Sequence, residues 1–141
     1  MRTLLVAACI FFALSGTVKA GDIIVTIDGV SSTRGTMLLE LEDSEASWQN
    51  QAPPFALGKA TPAGPSLTYT FRDVKPGTYA LSVFQDENNN GKLDTNFLGI
   101  PKEGWGFSNN PHVMRKATFD EAKFSVEQKD VAITIHLRHV F

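Results

Sequence analysis

The sequence predicts an all-β fold, a β-sandwich of about seven strands with one long ordered loop. Two observations predict it. Short segments of β-branched or alternating apolar residues recur along the chain, with turn residues between them. Residues 86–111 interrupt this pattern, because they are rich in glycine and asparagine and hold no apolar run long enough for a strand.

The first half of the chain contains three predicted strands. Residues 23–27 are rich in β-branched side chains, and residues 36–42 end in alternating apolar and acidic residues. A short helical turn is predicted near residues 44–49, although Leu, Glu and Ala also permit a helix over 37–48. Four prolines and two glycines in the next stretch exclude a helix and leave a short edge strand at residues 56–59.

Two strands with a period of two residues follow, at 67–71 and 79–84. The segment Pro76–Gly77 between them predicts a type II turn and hence a hairpin, because proline presets φ and glycine tolerates positive φ. Beyond the long loop, the pattern predicts the last two strands at residues 119–126 and 131–140.

The first twenty residues have the pattern of a secretory signal peptide. Arg2 supplies a positive charge, residues 4–14 are an apolar run too short to span a bilayer, and residues 18–20 resemble a signal-peptidase site. We interpret Cys9 as part of the cleaved peptide rather than as a lipoprotein anchor. The prediction is a signal peptide over 1–20 and a single domain over 21–141, secreted to the periplasm or the medium.

The predicted mature domain is long enough for one self-sufficient core and carries no cysteine, so no disulfide stabilises it. Without Arg2 and Lys19 it holds eleven basic and fifteen acidic residues, a net charge of −4. No basic patch is present, which argues against a nucleic-acid partner. We expect a monomer without stable membrane insertion.

The start of the long loop predicts a calcium site. Asp86, Asn88 and Asn90 occupy positions 1, 3 and 5 of a D-x-[DN]-x-[DN]-G pattern, and Asp94 occupies position 9. Calcium prefers six to eight oxygen ligands, which alternate side chains of a curled loop supply together with the backbone carbonyl at position 7, here that of Lys92.

The calcium pattern is incomplete, because position 12 is Phe97 rather than a glutamate and a strand rather than a helix leads into it. Glu103 is the first candidate for the missing ligand, and Asp120 is the second. The alternative is a metal-free turn, since Asn90–Gly91 alone favours a type I′ hairpin.

Aromatic residues in the second half of the loop allow two interpretations. Trp105 and Phe107 form either a stacking platform for a ligand such as a sugar or a small buried core that fixes the loop. His136 and His139 are three apart in a predicted strand, so they face opposite sides and cannot share a metal. His112 has no nearby partner in sequence.

One stretch of the chain resembles the secreted bacterial family known as domain of unknown function 2141. It begins at Pro76 and includes D-E-N-N-N-G-K-L-D-T-N, G-I-P-K-E-G-W-G-F-S-N-N and F-D-E-A-K-F. The likeness is dense over residues 71–124 and looser over 23–42. It implies no activity. The P-G-x-Y segment is also similar to those of transthyretin-like and immunoglobulin-like sandwiches, which bears on the fold alone.

No hydrolase motif, phosphate-binding glycine loop or catalytic cysteine is present in the sequence, so we predict no catalytic residue. The expected function is a secreted, non-enzymatic β-sandwich module of unknown ligand that binds one calcium ion in the Asp86–Asp94 loop, with a glycan or an envelope protein as the candidate partner. Two alternatives remain: a purely structural, metal-free envelope domain, or a glycan-acting enzyme that uses the carboxylates of Glu103 and Asp120.

Overall fold

The computed structural model describes residues 16–141. Residues 1–15, which carry most of the predicted signal peptide, lie outside the described residues. The described chain forms eight strands and two short helices, in the order β1 (Gly21–Asp28), β2 (Thr36–Glu42), α1 (Glu45–Trp48), β3 (Ala56–Ala60), β4 (Ser66–Val74), β5 (Gly77–Asp86), β6 (Trp105–Phe107), α2 (Phe119–Ala122), β7 (Phe124–Val126) and β8 (Val131–His136). The predicted all-β class is confirmed.

The first sheet has β1 at its centre, between β4 and β8. β1 runs antiparallel to β4 and parallel to β8. Successive side chains of a strand point to opposite faces, so alternate residues of β1 enter the interior. Ile23, Val25 and Ile27 are fully buried there. The sheet therefore joins the first and last strands of the described chain.

The second sheet has the order β3-β2-β5-β6, and β7 pairs with β5 beyond the end of β6. Its inner face carries the alternate residues of β2 and β5, among them Met37, Leu39, Leu81 and Val83. These side chains meet the inner face of the first sheet and form the main hydrophobic core. The stability of the fold rests mainly on this apolar layer between the sheets.

A smaller hydrophobic cluster lies on the outer face of the second sheet. It contains Trp48 of α1, Ala80 of β5 and Ala122 of α2. The indole N–H of Trp48 donates to the carbonyl of Ala117 at 2.7 Å, which satisfies the polar atom of a buried aromatic side chain. The two short helices thus cover one end of this face and leave the other end open.

The hairpin predicted around Pro76–Gly77 is wrong. β4 pairs with β1 whereas β5 pairs with β2, so the connection crosses from one sheet to the other. Positive φ occurs at Asp73 (φ 53°) and not at Gly77, which instead begins β5. Both strands were predicted correctly, but turn residues alone do not reveal which strand each one pairs with.

The strand predicted over residues 119–126 is wrong in its first half. The side chain of Thr118 accepts the N–H of Glu121, and the carboxylate of Glu121 accepts the N–H of Thr118. This capping box begins α2, and only the last residues form β7. The last strand ends at His136 rather than at 140, because the backbone of Arg138 turns away to pair with Trp105 of β6.

Within residues 16–141, no helix is long and apolar enough to cross a membrane.

Candidate functional site

The loop of residues 86–111 leaves the end of β5 and returns along the same strand. Its return path contains β6, which pairs residues Trp105 to Phe107 with Phe84 to Ser82. The expectation that no strand lies in this loop is therefore wrong, because three residues suffice when an exposed edge is available. A smaller hairpin, closed by a bridge between Thr95 and Pro101, forms the tip of the loop.

Asp86 organises the first turn of the loop. Its side chain is 2% exposed. Its two carboxylate oxygens accept the N–H groups of Asn90 at 3.0 Å and Gly91 at 2.7 Å. A carboxylate that accepts backbone N–H groups bonds more strongly than a neutral acceptor does. Asp86 therefore curls the chain at its predicted position 1 through backbone hydrogen bonds.

Glu103 closes the loop from the opposite side. It is 6% exposed, and its two oxygens accept the N–H groups of Glu87 and Asp94, each at 2.9 Å. It was predicted to complete the site, and it does reach the loop, but it binds backbone donors. Two buried carboxylates thus hold the loop through four backbone hydrogen bonds.

The turn between the two carboxylates is not the type I′ hairpin that Asn90–Gly91 suggested. Positive φ occurs at Asn89 (φ 56°) and Gly91 (φ 80°) and not at Asn90, whereas a type I′ turn requires it at both central residues. The side chain of Asn89 accepts a hydrogen bond from Thr36 at 2.8 Å, which fixes the turn to the start of β2.

Asp94 accepts hydrogen bonds from the side chains of Asn88 and Asn90, two other predicted calcium ligands. Asn90 donates its amide N–H to both carboxylate oxygens, at 2.9 and 3.0 Å, and Asn88 donates to one of them at 2.6 Å. These amide donors, that of Asn90 foremost, hold the pKa of the Asp94 carboxyl below its usual range. The N–H of Lys92 donates to the Oδ1 of Asn90 at 3.1 Å.

The fit of these residues to calcium is partial. In the part of the chain that the structure describes, no group of three or more His, Cys, Asp or Glu side chains is placed to hold a metal ion. Asp86 and Glu103 face backbone donors, and the amide nitrogens of Asn88 and Asn90 face Asp94. Oxygen ligands for an ion would come from Asp94, from the two amides after each is turned over, and from the carbonyl of Lys92.

A cleft with a volume of about 360 Å³ lies on the outer face of the second sheet, beside the loop. Its floor contains Glu40 of β2, Ser82 and Phe84 of β5, and Trp105 and Phe107 of β6. The loop forms one wall through Leu93, Thr95, Gly99 and Pro101. The segment before α2 forms the other through Met114, Arg115 and Lys116, together with Asn50, which follows α1. The strand register explains the floor, since Phe84 pairs with Trp105 and Ser82 with Phe107.

The chemistry of the cleft is mixed. Arg115 forms a bidentate ion pair with Glu121, at 2.8 and 2.9 Å. The ammonium group of Lys116 donates to the carbonyl of Trp48 and lies 5.0 Å from the centre of its ring. The carboxylate of Glu40 takes part in no ion pair within the described residues. The cleft therefore joins an aromatic floor to charged groups of both signs.

The loop, the cleft and the sandwich that carries them lie within a stretch that matches a known family. The family model described as "Uncharacterized protein conserved in bacteria (DUF2141)" matches residues 25–134. The chain belongs to the DUF2141 family. No curated protein and no solved structure matches the chain.

In this DUF2141 chain, Trp105 is 6% exposed and Phe107 is half-buried. Their ring centres are 5.5 Å apart, and Arg138 lies 5.8 Å from the Trp105 ring. The indole N–H of Trp105 is buried without a hydrogen-bond partner in the described residues. Both residues anchor the loop to β5, and both line the cleft, so a role as a stacking platform for a ligand stays a prediction.

Glu103 and Asp120 are not brought together. Glu103 lies in the loop at the Asp86 end of β5, whereas Asp120 lies on α2, whose Ala122 packs against Ala80. Six strand residues separate these two ends, which is about 20 Å at 3.3 Å per residue. Neither carboxylate lines the cleft. The pair named for a glycan-acting enzyme therefore does not bracket a common substrate position.

Each of the three histidines contacts a different residue. His136, at the end of β8, bonds Asp28 at 2.5 Å, and His139 bonds the carbonyl of Gly29 at 2.8 Å. His139 lies beyond the end of the strand, so the argument from opposite strand faces does not apply to it. His112 lies 3.5 Å from Arg138.

Sequence reasoning missed the cleft and its carboxylate, Glu40. The only available signal was the alternation in β2, where Leu38, Glu40 and Glu42 fall on the face opposite the core residues. The alternation identifies the outer face of β2, but most of the walls come from residues 93–101 and 114–116, more than fifty residues from Glu40 in sequence. The register of β2, β5 and β6 is needed to bring them together.

Proposed function

We propose that this DUF2141 chain is an exported, non-enzymatic binding module whose ligand is a small neutral molecule rich in hydroxyl groups, a sugar, held in the cleft beside the loop. The observation that carries the proposal is the composition of that cleft. Three aromatic side chains, those of Phe84, Trp105 and Phe107, share one floor with the carboxylate of Glu40 and the hydroxyl of Ser82.

The aromatic floor suits the apolar C–H face of a sugar ring, because aromatic side chains contribute large contact areas. Hydroxyl groups of a sugar both donate and accept hydrogen bonds. The Glu40 carboxylate accepts them, and the Ser82 hydroxyl does both. Ligand sites commonly pair a mainly apolar lining with a few polar groups of this kind.

The charge balance favours a neutral ligand. Arg115 is already paired with Glu121, and the positive charge of Lys116 offsets the negative charge of Glu40. An anion or a cation would gain from one of these groups and be repelled by another. The volume of about 360 Å³ lies at the small end of the range for ligand pockets, which fits one or two sugar rings better than a long chain.

Heteronuclear NMR of residues 21–141, titrated with glucose, galactose and N-acetylglucosamine, tests this function. At least one sugar should shift the indole signal of Trp105, which lines the cleft. In Glu40→Ala the apparent affinity should fall about tenfold, since a hydrogen bond to a charged group contributes about 1.5 kcal/mol or more.

The matched control is Glu127→Ala, which removes an exposed carboxylate in the turn before β8 and should leave the affinity unchanged. If no sugar shifts the Trp105 signal, or if Glu40→Ala binds as tightly as the parent chain, the sugar proposal fails.

A second candidate function is calcium binding by the start of the loop. The specific observation is the convergence of Asn88 and Asn90 on the exposed side of Asp94. Turning each amide over replaces its nitrogen by an oxygen, and the set then offers the hard ligands that calcium prefers. With only one carboxylate free of backbone bonds, the expected Kd is that of weak extracellular sites, about 10⁻⁴–10⁻³ M.

Calorimetry with and without calcium separates this role from that of a metal-free structural loop. At a calcium concentration of ten times Kd, binding should raise the free energy of unfolding by about 1.4 kcal/mol. Asp94→Asn should abolish that increase, and Asp120→Asn, on exposed α2, should retain it. An unchanged melting temperature in the parent chain would exclude the calcium site.

A further inference from the structure

β8 is an edge strand, because the order of the first sheet is β4-β1-β8. The N–H and C=O groups of successive residues in a strand point alternately to the neighbour on one side and to the other side. The N–H of Leu137, one residue past the strand, donates to the carbonyl of Asp28 of β1 at 3.0 Å, so the odd-numbered residues of this segment face β1. Ala132, Thr134 and His136 therefore present their N–H and C=O groups to the open side of the sheet.

The composition of β8 makes this open edge prone to pair with copies of itself. Its six residues, V-A-I-T-I-H, are rich in β-branched side chains and contain no glycine, proline, Asp, Glu, Lys or Arg. The edge strands β3 and β4 do carry charge, since β3 contains Lys59 and β4 contains Arg72 and Asp73. Charged side chains are a common protection of an exposed strand edge, and β8 lacks that protection.

The side chain of Asn110 takes the place of a neighbouring strand on this edge. Its amide nitrogen donates to the carbonyl of Thr134 at 2.9 Å, and its amide oxygen accepts the N–H of His136 at 2.8 Å. These are the two kinds of bond, one donated and one accepted, that a residue of a paired strand makes. Two residues further along, Arg138 exchanges backbone hydrogen bonds with Trp105 at 2.8 and 3.2 Å. The open side of β8 is thus occupied from the carbonyl of Thr134 onward.

The backbone at Asn110 has an uncommon conformation. Asn109 (φ 64°) and Asn110 (φ 48°) both have positive φ, which costs free energy for residues other than glycine. The amide of Asn109 donates to the carbonyls of Glu121 and Lys123, at 3.1 and 2.8 Å, at α2 and the residue that follows it. Two adjacent asparagines therefore fix the end of the long loop at two places, and of the two amides it is that of Asn110 that bonds β8.

We propose that Asn110 protects the β8 edge: its amide occupies the outward pairing groups of the strand and keeps it from pairing with the β8 edge of a second copy of this chain. A second copy is the partner excluded, because two identical edges can pair antiparallel about a twofold axis and each then satisfies the other. With the amide in place, an incoming strand must displace two hydrogen bonds before it can form its own.

Analytical ultracentrifugation of residues 21–141 over a range of concentrations tests the proposal. Asn110→Gly removes the amide and leaves the backbone conformation accessible, because glycine adopts positive φ readily. The substitution should lower the dissociation constant for self-association at least about tenfold, since two hydrogen bonds in each copy no longer compete with pairing. The parent chain should stay monomeric over the same range.

The matched control is Asn109→Gly, which removes the adjacent amide at another position of positive φ and should stay monomeric. Adding Thr134→Lys to Asn110→Gly should restore the monomer, because a lysine on an edge strand disfavours pairing. Aggregation of a misfolded chain would not be reversed by that second substitution.

Hydrogen exchange locates the contact. The N–H of Thr134 faces the open side, so it should become protected as Asn110→Gly associates. A parent chain that already associates through β8, an Asn110→Gly chain that stays monomeric, or equal association of Asn109→Gly would overturn the proposal. Association of Asn110→Gly without protection of Thr134 would overturn it as well.

Discussion

The carboxyl group of Glu42 is buried, an environment that disfavours its charged form. It lies at the end of β2, is 4% exposed, and its Oε2 has no hydrogen-bond partner within residues 16–141. Burial raises its pKa above the ordinary value, and Glu40 on the same face of the strand adds to the effect. Lys116 opposes it, and Asp43 reinforces it more weakly. The folded chain therefore favours the protonated form of Glu42.

The stability of the chain should depend on pH through this group. Below its ordinary pKa, near 4.5, Glu42 is protonated in both the folded and the unfolded chain and has no differential effect. Above that pH the unfolded chain ionises first, so stability is lost as pH rises through the raised pKa. Glu42→Gln should increase the free energy of unfolding by about 1 kcal/mol at neutral pH.

Urea denaturation at about pH 4 and about pH 8 measures the effect. The difference between Glu42→Gln and the parent chain should be near zero at the lower pH and appear at the higher one. Glu127→Gln, whose carboxylate is exposed, should show no such difference at either pH. A constant difference would mean that the ionisation of Glu42 is not its cause.

At the scale of the element, the long loop depends on Glu103. Glu103→Gln keeps the size of the side chain but replaces one acceptor by an N–H₂ group that faces the N–H of Glu87 or Asp94. We expect a loss of about 2 kcal/mol in the free energy of unfolding, since the lost hydrogen bond is to a charged group. Faster amide hydrogen exchange over residues 87–94 should accompany it.

Chelation of calcium distinguishes this role from that of a metal ligand. If Glu103 acts through the backbone, the loss should be the same with calcium and with a chelator. A loss seen only in the presence of calcium would contradict the structural role and assign Glu103 to a metal site.

The spacing of the loop residues located the turn but not its chemistry. Asp86 and Glu103 were both predicted as calcium ligands of this loop, and in the structure both accept backbone N–H groups. The sequence pattern does not show whether backbone N–H groups or a metal ion bind these carboxylates. The cleft was out of reach for a different reason, because Glu40 and Trp105 meet only through the register of β2, β5 and β6.

The alternation of side chains predicted most strands, because a strand with one buried face must alternate. It did not predict pairing, which depends on distant contacts, and so β4 and β5 were assigned to one hairpin. α2 was missed, although Thr118 and Glu121 have the spacing of a capping box. That signal is only four residues long and is followed by a genuine strand pattern.

At the scale of the whole molecule, the first sheet needs both ends of the chain. β8 covers one edge of β1, and its Ile135 is fully buried in the main core. A chain that ends at residue 130 should therefore fail to fold, and circular dichroism and limited proteolysis should show this directly. A chain that lacks only Val140 and Phe141, which are exposed, should melt within a few degrees of the parent.

The parallel pairing of β1 with β8 also sets an order of events during synthesis. Asp22 donates its N–H to Asp130, 108 residues later in the chain, at the point where the two strands come together. A ribosome that adds roughly 5–20 residues per second needs about 5–20 seconds to cover that distance. For this interval the β8-facing edge of β1 has no partner on the nascent chain. Completion of the first sheet thus waits until β8 has been synthesised, and any factor that recognises an unpaired strand edge has that time in which to act.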